Sequence, residues 1–250
     1  MQVVLDDNVA TIVMDEGKGN SMSPEMIRRL RSALAEAEAS GARALIVTGS
    51  GSIFSAGLNL PVVSALEGEA LRAFIIDFCE TMFAFVASPL PVIAAVNGHA
   101  IAGGCVLAMA CDYRLMVKDD FRIGLNEVDL GIRFPQPVLD LALHVLPRSA
   151  IAEVVLLGRL LNPEEALSVG LIHQLADPDL IQASARTVAR EFAGKPPSAM
   201  RHTKADIHAD LLARVRANLH ASAEDFQKGF QSEETRARVR EVVEQLAARR

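Results

Sequence analysis

Apolar and polar positions alternate over Gln2–Leu5 and again over Val9–Met14, with Asp6, Asp7 and Asn8 between them, a pattern that predicts a β-hairpin. Ser23 followed by Pro24 is a helix start, and the apolar face running from Met26 to Ala39 predicts the helix it opens. From there a cycle repeats. Ala44–Thr48 (ALIVT) is a short run that reads as a fully buried strand, followed by the small-residue loop GSGSIFSAGLNL and a helix over Glu69–Ala87. Val92–Val96 is the next such run, and the loop NGHAIAGG leads from it into CVLAMAC, apolar on every side and so a buried helix. Tyr113–Val117, the segment IGLNEVDLG and a helix over Val138–Val145 make a third round. Strand, loop and helix in this order predict an α/β fold whose strands deliver their loops to one side. Beyond Pro147 the strand signal fades, and Ala150–Leu157, Pro163–Val169, Leu180–Phe192, Ala199–His220 and Glu233–Ala248 read as helices. That last third is expected to be an appendage that packs on a neighbour rather than one that holds chemistry.

Thr81 to Cys111 passes without a charged side chain, longer than a spanning helix requires. Pro89, Pro91, Asn97-Gly98 and Gly103-Gly104 break it into short pieces, so a membrane span is not expected. A chain of 250 residues, 50% hydrophobic and 22% charged, has enough apolar surface for a full core and is not a disordered polymer. Its net charge of −6, the absence of Trp and the single Tyr113 exclude a basic, aromatic-lined nucleic-acid groove as its main surface. The three cysteines, Cys79, Cys105 and Cys111, form neither a disulfide framework nor a metal-ligand spacing. The six histidines lack metal spacing too, and His99 reads as a packed or hydrogen-bonded side chain. With acids near Met1 in place of a basic leader, a cytoplasmic home is expected.

Two loops and one acid could carry chemistry. In FSAGLNL, Ala56 and Gly57 leave backbone uncovered, and in AIAGGCV, Gly103 and Gly104 do so at the mouth of a helix whose first N–H groups have no internal partner. Two such N–H groups aimed at one point would form an oxyanion hole; close-packed glycine turns would leave the same pattern. Neither loop is a phosphate loop, because G-x-x-x-x-G-K-[ST] is absent. Glu127 stands among Ile123, Leu125, Val128 and Leu130 between Gly124 and Gly131. Burial there would raise its pKa and make it a base near neutral pH, whereas a solvated or capping glutamate would be inert. Asp129 is the alternative acid on the same segment.

FSAGLNL and NGHAIAGGCVLAMACDYR, followed by IGLNEVDLGI, resemble the enoyl-CoA hydratase/isomerase (crotonase) superfamily, and the likeness runs from NSMSP through PEEALSVGLIHQL to the closing helices. NSMS, CDYR and IGLNE are most similar to its 3,2-trans-enoyl-CoA isomerase (dodecenoyl-CoA isomerase) branch. The resemblance implies a spiral of repeated β-β-α units with a C-terminal helical region, divided into a core with the acyl-CoA site over 1–195 and a helical oligomerisation region over 196–250, assembled as a homotrimer or hexamer. It implies that the N–H groups of Ala56 and Gly103 bind the thioester oxygen. Met22, Phe54, Ser55, Gly57, Leu58, Asn59 and Leu60, with Gly104, are then expected to line the coenzyme A channel. Coenzyme A would come with the substrate, and no metal or redox cofactor is implied.

Superfamily hydratases use two glutamates, one after Gly-Gly-Cys and one in the later loop; here those positions are Val106 and Glu127. Adding water needs one group for the water proton and another for the α-carbon proton, whereas moving a double bond needs one shuttle. A lone Glu127, with Ile101, Val106, Leu130 and Phe134 keeping its pocket dry, therefore points to isomerisation of 3-enoyl-CoA in fatty acid metabolism. A hydratase or acyl-CoA decarboxylase of the same superfamily, and a non-catalytic acyl-CoA-binding protein, are the competing readings. Asn59 departs from the Asp that often follows the Ala-Gly pair in the superfamily. The closing ETRARVREVVEQLAARR reads as a solvated helix face, with its basic residues open to coenzyme A phosphates of a neighbouring subunit.

Overall fold

The structure, a computed structural model, describes residues 1–17 and 19–248. Arg249 and Arg250, at the end of the closing basic run, lie outside the described residues. The alternating start folds as the expected hairpin, β1 (Gln2–Asp6) antiparallel to β2 (Val9–Met14). Ser23 caps α1 (Pro24–Ala39) by accepting the Met26 N–H on its hydroxyl at 3.2 Å.

The repeat then takes physical form three times. Each round places its first, mostly apolar strand in a large sheet and a second, very short strand in a small one, before a helix returns. The first round is β3 (Ala44–Gly49), β4 (Ile53–Ser55), α2 (Leu60–Val63) and α3 (Gly68–Ala87). The second is β5 (Val92–Val96), β6 (His99–Ile101) and α4 (Gly103–Met109). The third is β7 (Tyr113–Val117), β8 (Ile123–Gly124) and α5 (Gln136–Val145). In the large sheet the order is β1-β2-β3-β5-β7 and then β9 (Gln174–Ala176), parallel from β2 onward, while β4-β6-β8 form the parallel small sheet. The loops read from sequence as single connections thus each contain a strand of two or three residues, too short to show any alternation.

Past Pro147 the chain makes a 3₁₀ turn (Arg148–Ala150), a π-helical turn (Ala152–Leu156), α6 (Pro163–Ser168), β9, a second 3₁₀ turn (Pro178–Leu180), α7 (Ile181–Ala193), α8 (Pro197–Phe230) and α9 (Glu233–Ala248). Two expectations for this region are corrected. β9 pairs with β7 from Leu115↔Gln174 to Val117↔Ala176, so the last third completes the large sheet. It is also no appendage: α7 covers one face of that sheet with Ile181, Ala185, Ala189 and Ala193, packed against Ile46, Ile93 and Leu115. The other face holds the main core, to which α1, α3, α4 and α8 all contribute. Phe226, Phe230 and Val239, apolar side chains that a helical appendage would present to a neighbour, are 2%, 4% and 2% exposed within their own chain. No helix of the described residues is long and apolar enough to cross a membrane.

Candidate active site

The two small-residue loops meet. Gly57 has φ +81°, and a Cβ built there would lie 2.6 Å from Ile101 O and 3.1 Å from Gly103 N, so only glycine lets the β4 loop approach the start of α4. Ala102, at φ +49° and ψ −117°, is one of three non-glycine residues described with positive φ. It turns the chain sharply into α4, strain of the kind stored where a backbone N–H must be aimed. Beneath the loops, the fully buried Ser55 donates its hydroxyl to Asn20 O at 2.8 Å and accepts the Gly57 N–H at 3.2 Å. Asn20 in turn donates its amide to Ile53 O and Phe54 O at 3.2 Å each.

A cavity of about 690 Å³ opens over this junction, within the range of small-molecule sites. Of the expected residues, Ala56, Leu58, Asn59, Leu60, Ile101 and Gly103 line it, together with Val106, Glu127 and Leu130. Met22, Phe54, Ser55, Gly57 and Gly104 do not; they build its support. Met22 is fully buried, donates its N–H to Gly57 O at 2.8 Å and accepts the Asn59 N–H at 3.0 Å. Gly104 packs directly on the Ser55 carbonyl. Phe134 is corrected as well: it is buried, but its neighbours Ile132 and Pro135 face the cavity in its place. Asn59 caps α2 by accepting the Val62 N–H, which gives it a structural use at the cavity rim.

The Ala56 N–H is also reassigned. It donates to Gly19 O at 2.9 Å, so the bare-backbone pattern marked the right turn while the amide that the resemblance implied is already engaged. Two residues on, the chain is in register with Met22 through the bonds on either side of Leu58, and among the described residues the N–H groups of Leu58 and Gly103 have no hydrogen-bond acceptor. Both residues line the cavity.

Glu127 sits in a turn closed by Leu130 N–H and Ile132 N–H on its own carbonyl, at 3.1 and 2.8 Å. Its side chain reaches the cavity, where Oε2 is buried with no partner among the described residues. Burial pushes its pKa up from 4.5 to about 7, against the smaller lowering effect of its own backbone N–H. Asp129 is exposed and Glu16, the other carboxylate at the cavity, is paired with the Met1 ammonium at 2.9 Å and Arg29 at 3.0 Å. The facing α4 residue is Val106, 1% exposed. Burial also keeps the Cys105 thiol protonated, helped by the Glu127 charge. His99 is a packed histidine whose Nδ1 accepts the Arg122 N–H at 3.1 Å.

Several lining residues carried no functional signal in the sequence, Asn126, Phe226 and Val242 among them. Asn126, beside Glu127, lines the cavity with a buried and unpartnered Oδ1. Phe226 of α8 and Val242 of α9 come from the helical last third and close the apolar side. Their presence in the wall could not be read locally, because the folding back of α8 and α9 brings them there from a distance along the chain.

A family model described as enoyl-CoA hydratase/isomerase matches residues 5–249. A putative enoyl-CoA hydratase of Thermus thermophilus is 34% identical over 203 residues, covering 79% of each chain. Human enoyl-CoA delta isomerase 1, mitochondrial, is 30% identical over 210 residues, covering 83% of this chain and 70% of its own. Among solved structures, human mitochondrial delta3-delta2-enoyl-CoA isomerase superposes with a TM-score of 0.96 at 27% identity, covering 100% of this chain and 98% of the other. Loops, cavity and comparisons agree, and the chain belongs to the enoyl-CoA hydratase/isomerase family, with the fold of its crotonase-like members.

Proposed function

We propose that this chain is an enoyl-CoA delta-isomerase, which moves the double bond of a 3-enoyl-CoA into conjugation as trans-2-enoyl-CoA. The observation that carries the reading is the Glu127 carboxyl, whose Oε2 is buried without a partner among the described residues in an apolar cavity that Val106 also lines. The thioester carbonyl and the adjacent double bond together acidify the C2 proton. Glu127 takes that proton, the electrons spread into a dienolate, and the same carboxyl returns the proton to C4, so that the double bond shifts and nothing is gained or lost. A base with a pKa near neutrality suits both transfers. The dienolate oxygen would be held by the Leu58 and Gly103 N–H groups, a contribution of about 3 to 4 kcal/mol per donor. Ile101, Val106 and Leu130 keep water from the intermediate.

The hydratase name of the Thermus thermophilus relative favours a second reading, addition of water to the 2-enoyl thioester. Against it stands the absence of a second carboxyl at position 106. Purified protein offered trans-3-hexenoyl-CoA is expected to produce the conjugated thioester absorbance and to hydrate crotonyl-CoA far more slowly; the reverse ranking would overturn the isomerase reading.

In this reading the enzyme is cytoplasmic, acts in fatty acid oxidation and needs no metal or redox cofactor. Its assembly as a homotrimer or hexamer would use apolar side chains left exposed on the single chain, including Leu143, Leu156, Leu157 and Ile207. Sedimentation of a stable monomer at micromolar concentration would overturn the assembly.

A further inference from the structure

The turn that carries Glu127 is held from outside by one face of α9. Thr235, 4% exposed, donates its hydroxyl to Gly131 O at 2.7 Å, and Arg238 donates Nε to Asp129 O at 3.2 Å. The Thr235 hydroxyl has a fixed direction because it also accepts from the Ser232 hydroxyl at 3.1 Å. Gly131, at φ +65°, turns the chain so that the segment closes, and the Ile132 N–H that follows returns to Glu127 O at 2.8 Å. Displacing the Gly131 and Asp129 carbonyls therefore displaces the backbone of Glu127. Positions 235, 238, 239 and 242 share one side of a helix; Val239 is buried and Val242 lines the cavity that Glu127 enters. One rigid element thus touches both the catalytic turn and the wall available to an acyl chain.

We propose that Thr235, seconded by Arg238, is a positioning residue for Glu127, and that α9 uses contact between Val242 and a long acyl chain to hold the acid/base turn in its working place. The inference rests on Glu127 being the base. Binding energy from a remote part of the substrate then appears in turnover and not only in affinity. A chain long enough to reach Val242 raises kcat, and a short chain leaves α9 without that contact.

The test compares the wild type with Thr235→Val, Thr235→Ser and Arg238→Met on trans-3-hexenoyl-CoA and trans-3-dodecenoyl-CoA. Thr235→Val is expected to lower kcat roughly tenfold to a hundredfold, the scale of a small misplacement of a catalytic group. It should also erase the advantage of the longer substrate and move the acidic limb of the pH profile below about 7 as water reaches the loosened carboxyl. Thr235→Ser keeps the donor and should restore all three. Arg238→Met, whose side chain is largely exposed, keeps the protein folded if the valine variant is not, and should shift the same three readouts in the same direction by less. A folded Thr235→Val enzyme with unchanged kcat, chain-length ratio and pH limb would overturn the proposal, and so would a Thr235→Ser enzyme as impaired as the valine one.

If the wild type shows no isomerase turnover, the functional reading fails on its own. The clamp is then read from stability: the pH-dependent difference between wild type and Glu127→Gln should shrink in a Thr235→Val background, and an unchanged difference would overturn the clamp.

Discussion

Two acids lie near α4 and meet opposite fates. Asp112 follows its C-terminal end, in CDYR, and accepts the Val92 N–H at 2.7 Å and the Lys204 ammonium at 2.6 Å on Oδ2, while His208 Nε2 stands 3.5 Å from Oδ1. Burial alone would raise its pKa, but His208, Lys204 and the Val92 N–H together hold it below the ordinary carboxylate value. Lys204, itself 6% exposed, also donates to Leu90 O at 2.8 Å, so the pair ties α8 to the start of β5. Glu127 faces the other end of α4, half-buried, with Oε2 out of solvent and without a partner among the described residues, and its pKa rises to about 7. Burial is common to both; provision of partners separates an acid that holds the fold from one left free to take a proton.

The largest expected effect breaks the Glu127 side of this comparison. Glu127→Gln keeps the shape but cannot accept a proton, so isomerase turnover should fall by roughly a hundred- to ten-thousandfold while acyl-CoA still binds. Single-turnover absorbance beside a binding titration checks it, and retention of more than about a tenth of turnover would call for another base. On the Asp112 side the loss should be of stability. Lys204→Met strands a buried carboxylate and is expected to cost about 3 to 5 kcal/mol in urea unfolding, much of which Asp112→Asn in the same chain should return.

The next effect sets the two acids against each other through pH. Because the folded pKa of Glu127 lies near 7, above its ordinary 4.5, the native state keeps a proton that the unfolded chain has released between those values. Stability contributed by this group is therefore full below about 4.5 and is lost as the pH rises to about 7. Glu127→Gln should accordingly be more stable than the wild type at pH 8, by on the order of 3 kcal/mol, and no more stable at acid pH. Asp112 has the reverse sign, since its depressed pKa stabilises the fold above the ordinary carboxylate range and is lost as the pH falls through the folded value.

The smallest change puts a second acid beside the first. Val106→Glu places a carboxyl on the first turn of α4, in the cavity with Glu127, at a cost of about 1 to 3 kcal/mol. The helix start favours its ionised form while burial and Glu127 oppose it, so one of the two carboxyls stays protonated near neutrality. Measurable hydration of crotonyl-CoA, with slower isomerisation, is the expected result in a folded variant. Acyl-CoA binding without hydration would show that water positioning, not the missing acid, separates the two chemistries.

Much of the fold was legible because its signals are local. Ser23-Pro24 opens α1, the mostly apolar runs 44–48, 92–96 and 113–117 are central strands, and Glu233–Ala248 is the helix the sequence predicts. β4, β6, β8 and β9 escape the local pattern because two or three residues carry no period and their pairing comes from strands far away in the chain; only the resemblance, through its β-β-α units, implied a second strand in each round. In the site, Glu127 stands out as an acid in an apolar segment, while the resemblance points to the Ala56 N–H, because no local signal tells which N–H of an uncovered turn already has an acceptor, here Gly19 O. Phe134 was placed in the wall on its apolar character, which Ile132 and Pro135 share.

Glycines and small residues in two loops and one acid among apolar neighbours are properties of residue type and spacing, and with the family resemblance they were enough to locate the candidate site. Tertiary structure alone decided which carboxylate is left without partners. Desolvation and hydrogen bonding are set by neighbours from Val92, Lys204 and His208 around Asp112 and by cavity walls from Phe226 and Val242 near Glu127. Nothing in the residue names Asp112 and Glu127 distinguishes them; the distances over which their charges are, or are not, answered do.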